Sequence, residues 1–412
     1  MKYLKVIVIL ILAIFFNTKA ISQDIVFSDS VQISLITCSP GPEVYAKFGH
    51  SGIRVLDKIN GHDFIFNWGI FSFNTENFYY KFIRGKTDYL LGVQYTSDFL
   101  PEYKSRNSVV WEHILNFKPS ESKRLIEQLL FNYKPENRQY RYNFVFDNCA
   151  TRPRDIVLGA VDGRVVFQPT FEAKTYRQAI GSYIGDDTWL RFGIDLVFGY
   201  QADKNMPQMQ SMFLPEILKY EFLNAKISND QYTQTRPLVT KTNTLVTTEF
   251  KENASPGFAD KPFYVFSFLI ILIALLSAYE IIFDKKYNTI VDSVLLLITG
   301  IAGIILFFLM FFSVHPLVKY NLNILWLNPL NVIAAGMIWF SKWRIHIFIY
   351  QLFNLILVAL ALVAVAISVQ TFNQATFVFI ALLLFRYSSW IYRTKKKIVR
   401  KSKYKIKDSN SK

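Results

Sequence analysis

Phe146-Asp147-Asn148-Cys149-Ala150-Thr151-Arg152-Pro153-Arg154-Asp155 reads as the start of a helix with a cysteine at its mouth. Asp147 and Asn148 are good helix caps, because a short polar side chain accepts from the free N–H groups of the first turn. Pro153 falls within that turn, where a missing N–H costs little. The apolar run Ile156-Val157-Leu158 then continues the helix. A thiol in this position meets unpaired N–H groups and the positive end of the helix dipole, and both favour the nucleophilic thiolate. Arg152 and Arg154 add positive charge nearby. The competing reading is a small buried hydrophobe on a core helix.

The residue that separates these readings lies far upstream, in Phe48-Gly49-His50-Ser51-Gly52-Ile53-Arg54-Val55. His50 is one of five histidines in the chain. It opens a strand, after a glycine that allows another backbone to come close. Alone, a strand histidine is more often a satisfied core or surface residue. Paired with a cysteine at a helix start, it supplies the parts of a thiol–imidazole couple. A third group must orient the ring. The following strand, Asp63-Phe64-Ile65-Phe66-Asn67-Trp68-Gly69, presents Asn67 and Asp63 on one face by its two-residue period. Asn67 is the first choice and Asp63 the second; His62, on the other face, is the last.

Around these motifs the chain from about Gln23 to Asp260 mixes polar and apolar residues. Val31 to Thr37, Gly52 to Leu56, Asp63 to Gly69 and Val109 to Phe117 read as strands, with a hairpin turn at Asn60-Gly61. Phe78 to Arg84 and Ser120 to Asn132 read as helices, the second capped by Ser120. This is an α+β pattern, a small antiparallel sheet with helices around it. A helical extension reaches about Lys226, and Asn243 to Lys261 reads as a short extended or loose connector.

The 412 residues are 51% hydrophobic and 17% aromatic, with two cysteines, a net charge of +15 and a mean hydropathy of +0.21. Two cysteines make no disulfide framework. Residues 1–22 read as a signal peptide: Lys2 and Lys5, an apolar Val6–Phe16 run too short to span a bilayer comfortably, and small residues before a cut ahead of Gln23. The chain from Gln23 onward is therefore expected to be exported. Residues 261–393 read as an all-α transmembrane domain of five helices: Phe263–Phe283, Val294–Val314, the shorter Pro329–Phe340, Ile347–Val369 and Phe377–Ile391. With residues 23–260 outside, Lys285-Lys286, Lys342, Arg344 and the basic tail 394–412 all fall on the cytoplasmic side, as the positive-inside rule requires. The tail thus fixes topology and touches anionic lipid, with RNA binding as the weak alternative; no nucleic-acid partner is called for. Arg386 lies inside the fifth span, where a charge is costly and is expected to snorkel or meet a headgroup. The outer loop His315–Asn328 either shapes a lipid entrance or forms an interfacial turn anchored by Trp326. His315 is the alternative base.

The early His50 strand followed much later by Asn148-Cys149 at a helix start resembles circularly permuted members of the NlpC/P60 papain-like superfamily. More closely, the chain resembles the Lnb family, the lipoprotein N-acyltransferases of the Bacteroidota. That resemblance rests on Thr37-Cys38-Ser39-Pro40-Gly41, Phe48-Gly49-His50-Ser51, Asn67-Trp68-Gly69-Ile70-Phe71 and Asn77 to Gly85. It continues through Asp147 to Asp155, Trp189 to Asp195 and Phe213-Leu214-Pro215-Glu216, and covers nearly the whole exported chain. Trp68 stands where the family more often has tyrosine.

The resemblance implies a membrane enzyme of the inner (cytoplasmic) membrane with its catalytic domain in the periplasm and no cofactor or metal. Cys149 would attack a phospholipid ester while His50 takes the thiol proton. The α-amine of a diacylated lipoprotein's N-terminal cysteine would then open the resulting thioester. The oxyanion would rest on N–H groups at the start of the Cys149 helix, with Tyr45 and Asn148 as further contacts. Arg84 and Arg152 would hold a lipid phosphate, whereas Lys86 and Arg138 read as solvated surface. Cys38 reads as a strand core residue, with a resolving role as the alternative. The competing functions are a cell-wall amidase or endopeptidase, and a non-catalytic membrane scaffold. Five spans argue against the first, because a wall hydrolase needs only a tether; the cysteine–histidine pair argues against the second.

Overall fold

The computed structural model describes residues 26–168, 175–228, 235–248, 257–283 and 288–409. The expected signal peptide and the Lys285-Lys286 pair lie outside the described residues. In chain order the first half forms β1 (Gln32–Cys38), β2 (His50–Asp57), β3 (His62–Ile70), α1 (Phe78–Ile83), β4 (Asp88–Tyr95), α2 (Thr96–Ser105) and β5 (Val110–Leu115). Then come α3 (Pro119–Tyr133), β6 (Gln139–Arg141), α4 (Thr151–Ala160), β7 (Arg164–Val166), α5 (Tyr176–Gly181) and α6 (Trp189–Val197). The half closes with α7 (Gln208–Ser211), α8 (Pro215–Asn224), β8 (Lys226–Ser228), β9 (Thr235–Pro237) and β10 (Val239–Val246).

Seven of the strands make one antiparallel sheet in the order β10-β5-β1-β2-β3-β4-β6. Alternation along the strands gives the sheet two apolar faces. One carries Ile33, Leu35, Ile53, Val55, Phe66 and Trp68 against α3, α4 and α8. The other carries Ile36, Cys38 and Ile65 against Phe99 and Tyr103 of α2. The architecture is α+β. The Asn60-Gly61 turn joins β2 to β3 as expected, with Gly61 at φ +69°. The extended or loose connector expected from Asn243 is extended in its first part, as the end of the edge strand β10 paired to β5. One other expectation is corrected. The second expected helix starts at Pro119, and Ser120 does not cap it: the Lys118 N–H donates to the Glu121 carboxylate at 2.7 Å.

The second half holds α9 (Pro262–Phe283), α10 (Asn288–Phe312), α11 (Asn331–Met337), α12 (Arg344–Ala366) and α13 (Gln374–Ser409). Among the described residues four helices are long and apolar enough to cross a membrane: α9, α10, α12 and α13. The third expected segment, the short Pro329–Phe340, holds the seven-residue α11 rather than one long regular helix. The chain returns along α10 in broken form: a Cβ on Gly303 would lie 2.0 Å from the Leu327 carbonyl, and one on Gly300 2.4 Å from the Val332 nitrogen. Further along, Ser293 Oγ donates to the Ala335 carbonyl at 2.8 Å and Trp339 Nε1 donates to Ser293 Oγ. Irregular backbone is tolerated at membrane depth when protein surrounds it and its polar groups are met. Here Asn321, Asn323, Asn328 and Asn331 are buried, and each side-chain oxygen accepts from a neighbouring N–H or hydroxyl. Trp326 is buried too, its Nε1 on Asn323 Oδ1, so it is not an interfacial anchor. Arg386 does not snorkel: it is buried against Asp292 and Ser277, with Arg393 on the other carboxylate oxygen. The basic tail follows the apolar span, which ends at Lys395, as a continuation of α13 to Ser409.

The halves are joined by polar contacts. Asp195 of α6 is buried and accepts from Arg177 Nη1, Arg191 Nε and Asn373 Nδ2 at 3.0, 2.8 and 3.0 Å. Asn321 Nδ2 donates to the Leu196 carbonyl, Gln370 Nε2 to the Phe198 carbonyl, and the Gly199 N–H to the Leu317 carbonyl. The His315–Asn328 loop is thus seated against the first half of the chain.

Candidate active site

His50 is the first residue of β2, where Gly49 brings the chain in at φ +75°. A Cβ on Gly49 would lie 2.5 Å from the Cys38 carbonyl, so only glycine fits this entry. His50 Nε2 lies 2.5 Å from Asn67 Oδ1. A carboxamide oxygen only accepts, so Nε2 carries the hydrogen and Nδ1 keeps its lone pair. Asn67 pairs with Gly52 at the His50 end of β2, whereas Asp63 pairs with Leu56 toward the far end. Asp63 therefore does not reach His50. Its carboxylate binds Arg54 Nε and Nη2, each at 2.7 Å, and Thr96 Oγ1 at 2.6 Å.

Between β3 and β4 the register shifts at Trp68/Ile70, and Gly69 stands in this bulge at φ +100°. A Cβ there would lie 3.7 Å from Cys149 Cβ and 3.9 Å from His50 Cε1. The cysteine and the histidine thus meet over one glycine backbone at the sheet end. The part Gly69 plays is set by the bulge, which no local sequence pattern announces.

Cys149 directly precedes the residues that start α4. Asn148 Oδ1 accepts from the Ala150 and Thr151 N–H groups at 2.8 and 2.9 Å, so it holds the helix start. Its Nδ2 donates to the Phe144 and Phe213 carbonyls, so this buried amide is structural and has no donor left for a substrate. The N–H groups aimed at the thiol are those of Ser51 and of Cys149 itself, not those deeper in the helix. Burial pushes the Cys149 thiol up to about 11, against these two hydrogen bonds. Burial likewise lowers His50 to about 4, against the Asn67 bond. Both residues are half-buried, and these two shifts favour a neutral thiol beside a neutral imidazole. The shift runs opposite to the lowering expected from the helix dipole.

Arg152 adds no free charge. It forms a paired contact with Asp147, 2.5 Å from Nε and 2.8 Å from Nη2, and its guanidinium lies 3.8 Å from the Tyr140 ring centre. Arg154 is held by Asp155 and the Met209 carbonyl. Tyr45 is 56% exposed and lines a cleft of about 70 Å³ beside His50, together with Ser39, Gly49, Tyr103 and Arg106. Arg84 lies elsewhere, on Tyr80 Oη and the Phe312 carbonyl. His315 is also apart from the cysteine, with Nε2 2.9 Å from the Phe82 carbonyl. Cys38 is buried and free, its backbone opposite His50. Sequence reasoning misses Tyr140: its hydroxyl is buried with no hydrogen-bond partner among the described residues, and it lies within electrostatic reach of Cys149 with Tyr89 and Tyr142.

Two family descriptions match this chain: the Lnb N-terminal periplasmic domain over residues 17–181, and the Lnb transmembrane domain over residues 252–398. The chain belongs to the Lnb family. It is thus a multi-pass membrane protein with a periplasmic N-terminal domain, of an acyltransferase-like family that modifies lipoproteins. No curated protein and no solved structure matches it. Within this Lnb chain the first match holds His50, Asn67, Gly69 and Cys149, and the second holds all four long apolar helices.

Proposed function

We propose that this Lnb protein is a cysteine-dependent lipoprotein N-acyltransferase of the inner membrane. The observation that carries the reading is the meeting of Cys149 and the Asn67-oriented His50 over Gly69. Asn67 fixes the tautomer that leaves His50 Nδ1 free to accept a proton. As the Cys149 sulfur attacks the ester carbonyl of a phospholipid, its proton passes to Nδ1. The carbonyl oxygen gains negative charge facing the Ser51 and Cys149 N–H groups. When the C–O bond breaks, His50 returns the proton to the leaving lysophospholipid oxygen. The α-amine of a diacylated lipoprotein then attacks the thioester, His50 takes the amine proton, and the C–S bond breaks to restore the thiol. Splitting one hard transfer into two is the gain of covalent catalysis.

The test uses purified full-length protein and phospholipid alone. A hydroxylamine-labile acyl adduct should appear on Cys149, with about one lysophospholipid released per enzyme. A lipopeptide with a free N-terminal amine should discharge it and start turnover, and one with a blocked amine should not. Cys149→Ser should form no adduct. No adduct on the unaltered protein, with peptides released from purified cell wall, would make it an amidase instead.

A further inference from the structure

Helix α1 carries an exposed apolar face that the reaction chemistry does not use. Tyr79 is 71%, Phe82 50% and Ile83 45% exposed, and Phe73 just ahead is 56% exposed. The place where the helix is fixed determines what this face meets. Its end is bonded to the outer end of membrane helix α10: Arg84 Nε donates to the Phe312 carbonyl, the Val314 N–H to the Arg84 carbonyl, and His315 Nε2 pairs with the Phe82 carbonyl. Gly85 permits this approach, since it sits at φ +66° and a Cβ would lie 3.2 Å from His315 Nδ1. The exposed side chains of α1 are therefore continuous with exposed Phe311, Phe312 and Val314 at the end of a span. That level is the boundary between hydrocarbon and headgroups, where aromatic residues with Lys and Arg beside them are favoured. Lys81, Arg84 and Lys86 supply the cations.

The same helix leads inward. Phe82 stacks on Phe78 at 6.0 Å, Phe78 on Phe71 at 5.8 Å, Phe71 on Tyr89 at 4.9 Å and Tyr89 on Tyr142 at 4.1 Å. Phe71 lies two residues beyond Gly69, and Tyr89 and Tyr142 lie within electrostatic reach of Cys149. We propose that α1 lies in the outer leaflet of the bilayer and that a phospholipid acyl chain passes along this row of rings from the membrane to Cys149. The inference rests on the acyltransferase reading for its second half only.

Its test is carried out on the full-length protein in phosphatidylethanolamine and phosphatidylglycerol vesicles containing a phospholipid with a diazirine in its acyl chain. Photolysis of the unaltered protein should crosslink within Phe73–Ile83. Crosslinks confined to the long apolar helices would overturn the proposal. Tyr79→Glu with Phe82→Glu, both at exposed positions, should lower acylation of Cys149 by vesicle phospholipid at least tenfold and leave acylation by a soluble short-chain nitrophenyl ester unchanged. Equal acylation by vesicle lipid, or equal loss with both donors, would overturn it. Should the unaltered protein take no acyl group from either donor, the acyltransferase reading fails, and the crosslinks alone decide whether α1 lies in lipid.

Discussion

At the scale of single residues, the proposed nucleophile is set by opposing effects whose balance only the packed site reveals. The residue types at 146–155 point to a lowered thiol pKa, and the helix start is real. The first N–H groups of that helix, however, are taken up by Asn148 Oδ1, and Arg152 is neutralised by Asp147. Burial then dominates, holding Cys149 near 11 and His50 near 4. These two values set the sign of the pH dependence. Between them the pair is neutral and competent for the proposed reaction, in which His50 accepts the proton during attack. Acylation of Cys149 should therefore stay flat from about pH 5 to 10 and fall as pH drops through the His50 value. Iodoacetamide needs thiolate at rest, so its rate should climb about tenfold per pH unit toward the thiol value. A plateau in alkylation already established at pH 6 would show a thiolate–imidazolium pair and refute this assignment.

At the scale of elements, legibility depends on whether the governing interaction is local. The β2–β3 hairpin is readable because Asn60-Gly61 announces a turn and the flanking residues alternate. The Asn67–His50 pairing is readable as a shared face, but choosing Asn67 over Asp63 needs the register that places Asp63 beside Arg54. β10 is legible only as an extended stretch from Asn243, because Val239–Val246 is mostly polar, an edge strand defined by its partner β5 rather than by its own hydropathy. The third membrane segment is legible in part for a related reason: its apolar run reads as short, whereas the contacts that break its helix come from α10. Those contacts are testable. Gly303 meets the Leu327 carbonyl where a Cβ would be only 2.0 Å away, so Gly303→Leu must push backbone apart. Overpacking of this kind costs about 1–3 kcal/mol, and the detergent-solubilised protein should melt at a clearly lower temperature. Gly336→Ala, where a Cβ meets nothing within 4 Å, is the matched control and should be neutral or slightly stabilising. Equal melting of the two variants would remove the close-packed return from the account.

At the scale of the whole molecule, the periplasmic domain is held to the membrane helices by buried polar groups rather than by an apolar seam alone. This matters for the proposed reaction, because a thiol that takes its acyl group from the bilayer must be kept at a fixed height above it. Asp195 is the centre of that joint. It is 4% exposed, and its carboxylate meets Arg177, Arg191 and Asn373, the last from the loop between α12 and α13. Arg177 is itself 3% exposed and also bound to Asp203. Removing one partner of a buried ion pair costs far more than the pair contributes, on the order of 3–5 kcal/mol, because an uncompensated charge stays behind. Asp195→Ala leaves two arginines facing each other, relieved only in part by Asp203. Limited proteolysis in vesicles should then cut between the domains faster than in the unaltered protein. Acylation of Cys149 by vesicle phospholipid should fall by more than acylation by a soluble short-chain ester, since the site itself lies in the sheet and is untouched. Asp195→Asn keeps acceptor and shape while losing the charge, and should fall between the two. If Asp195→Ala keeps full activity on vesicle lipid while proteolysis at the joint accelerates, a fixed height above the membrane is not required for the reaction.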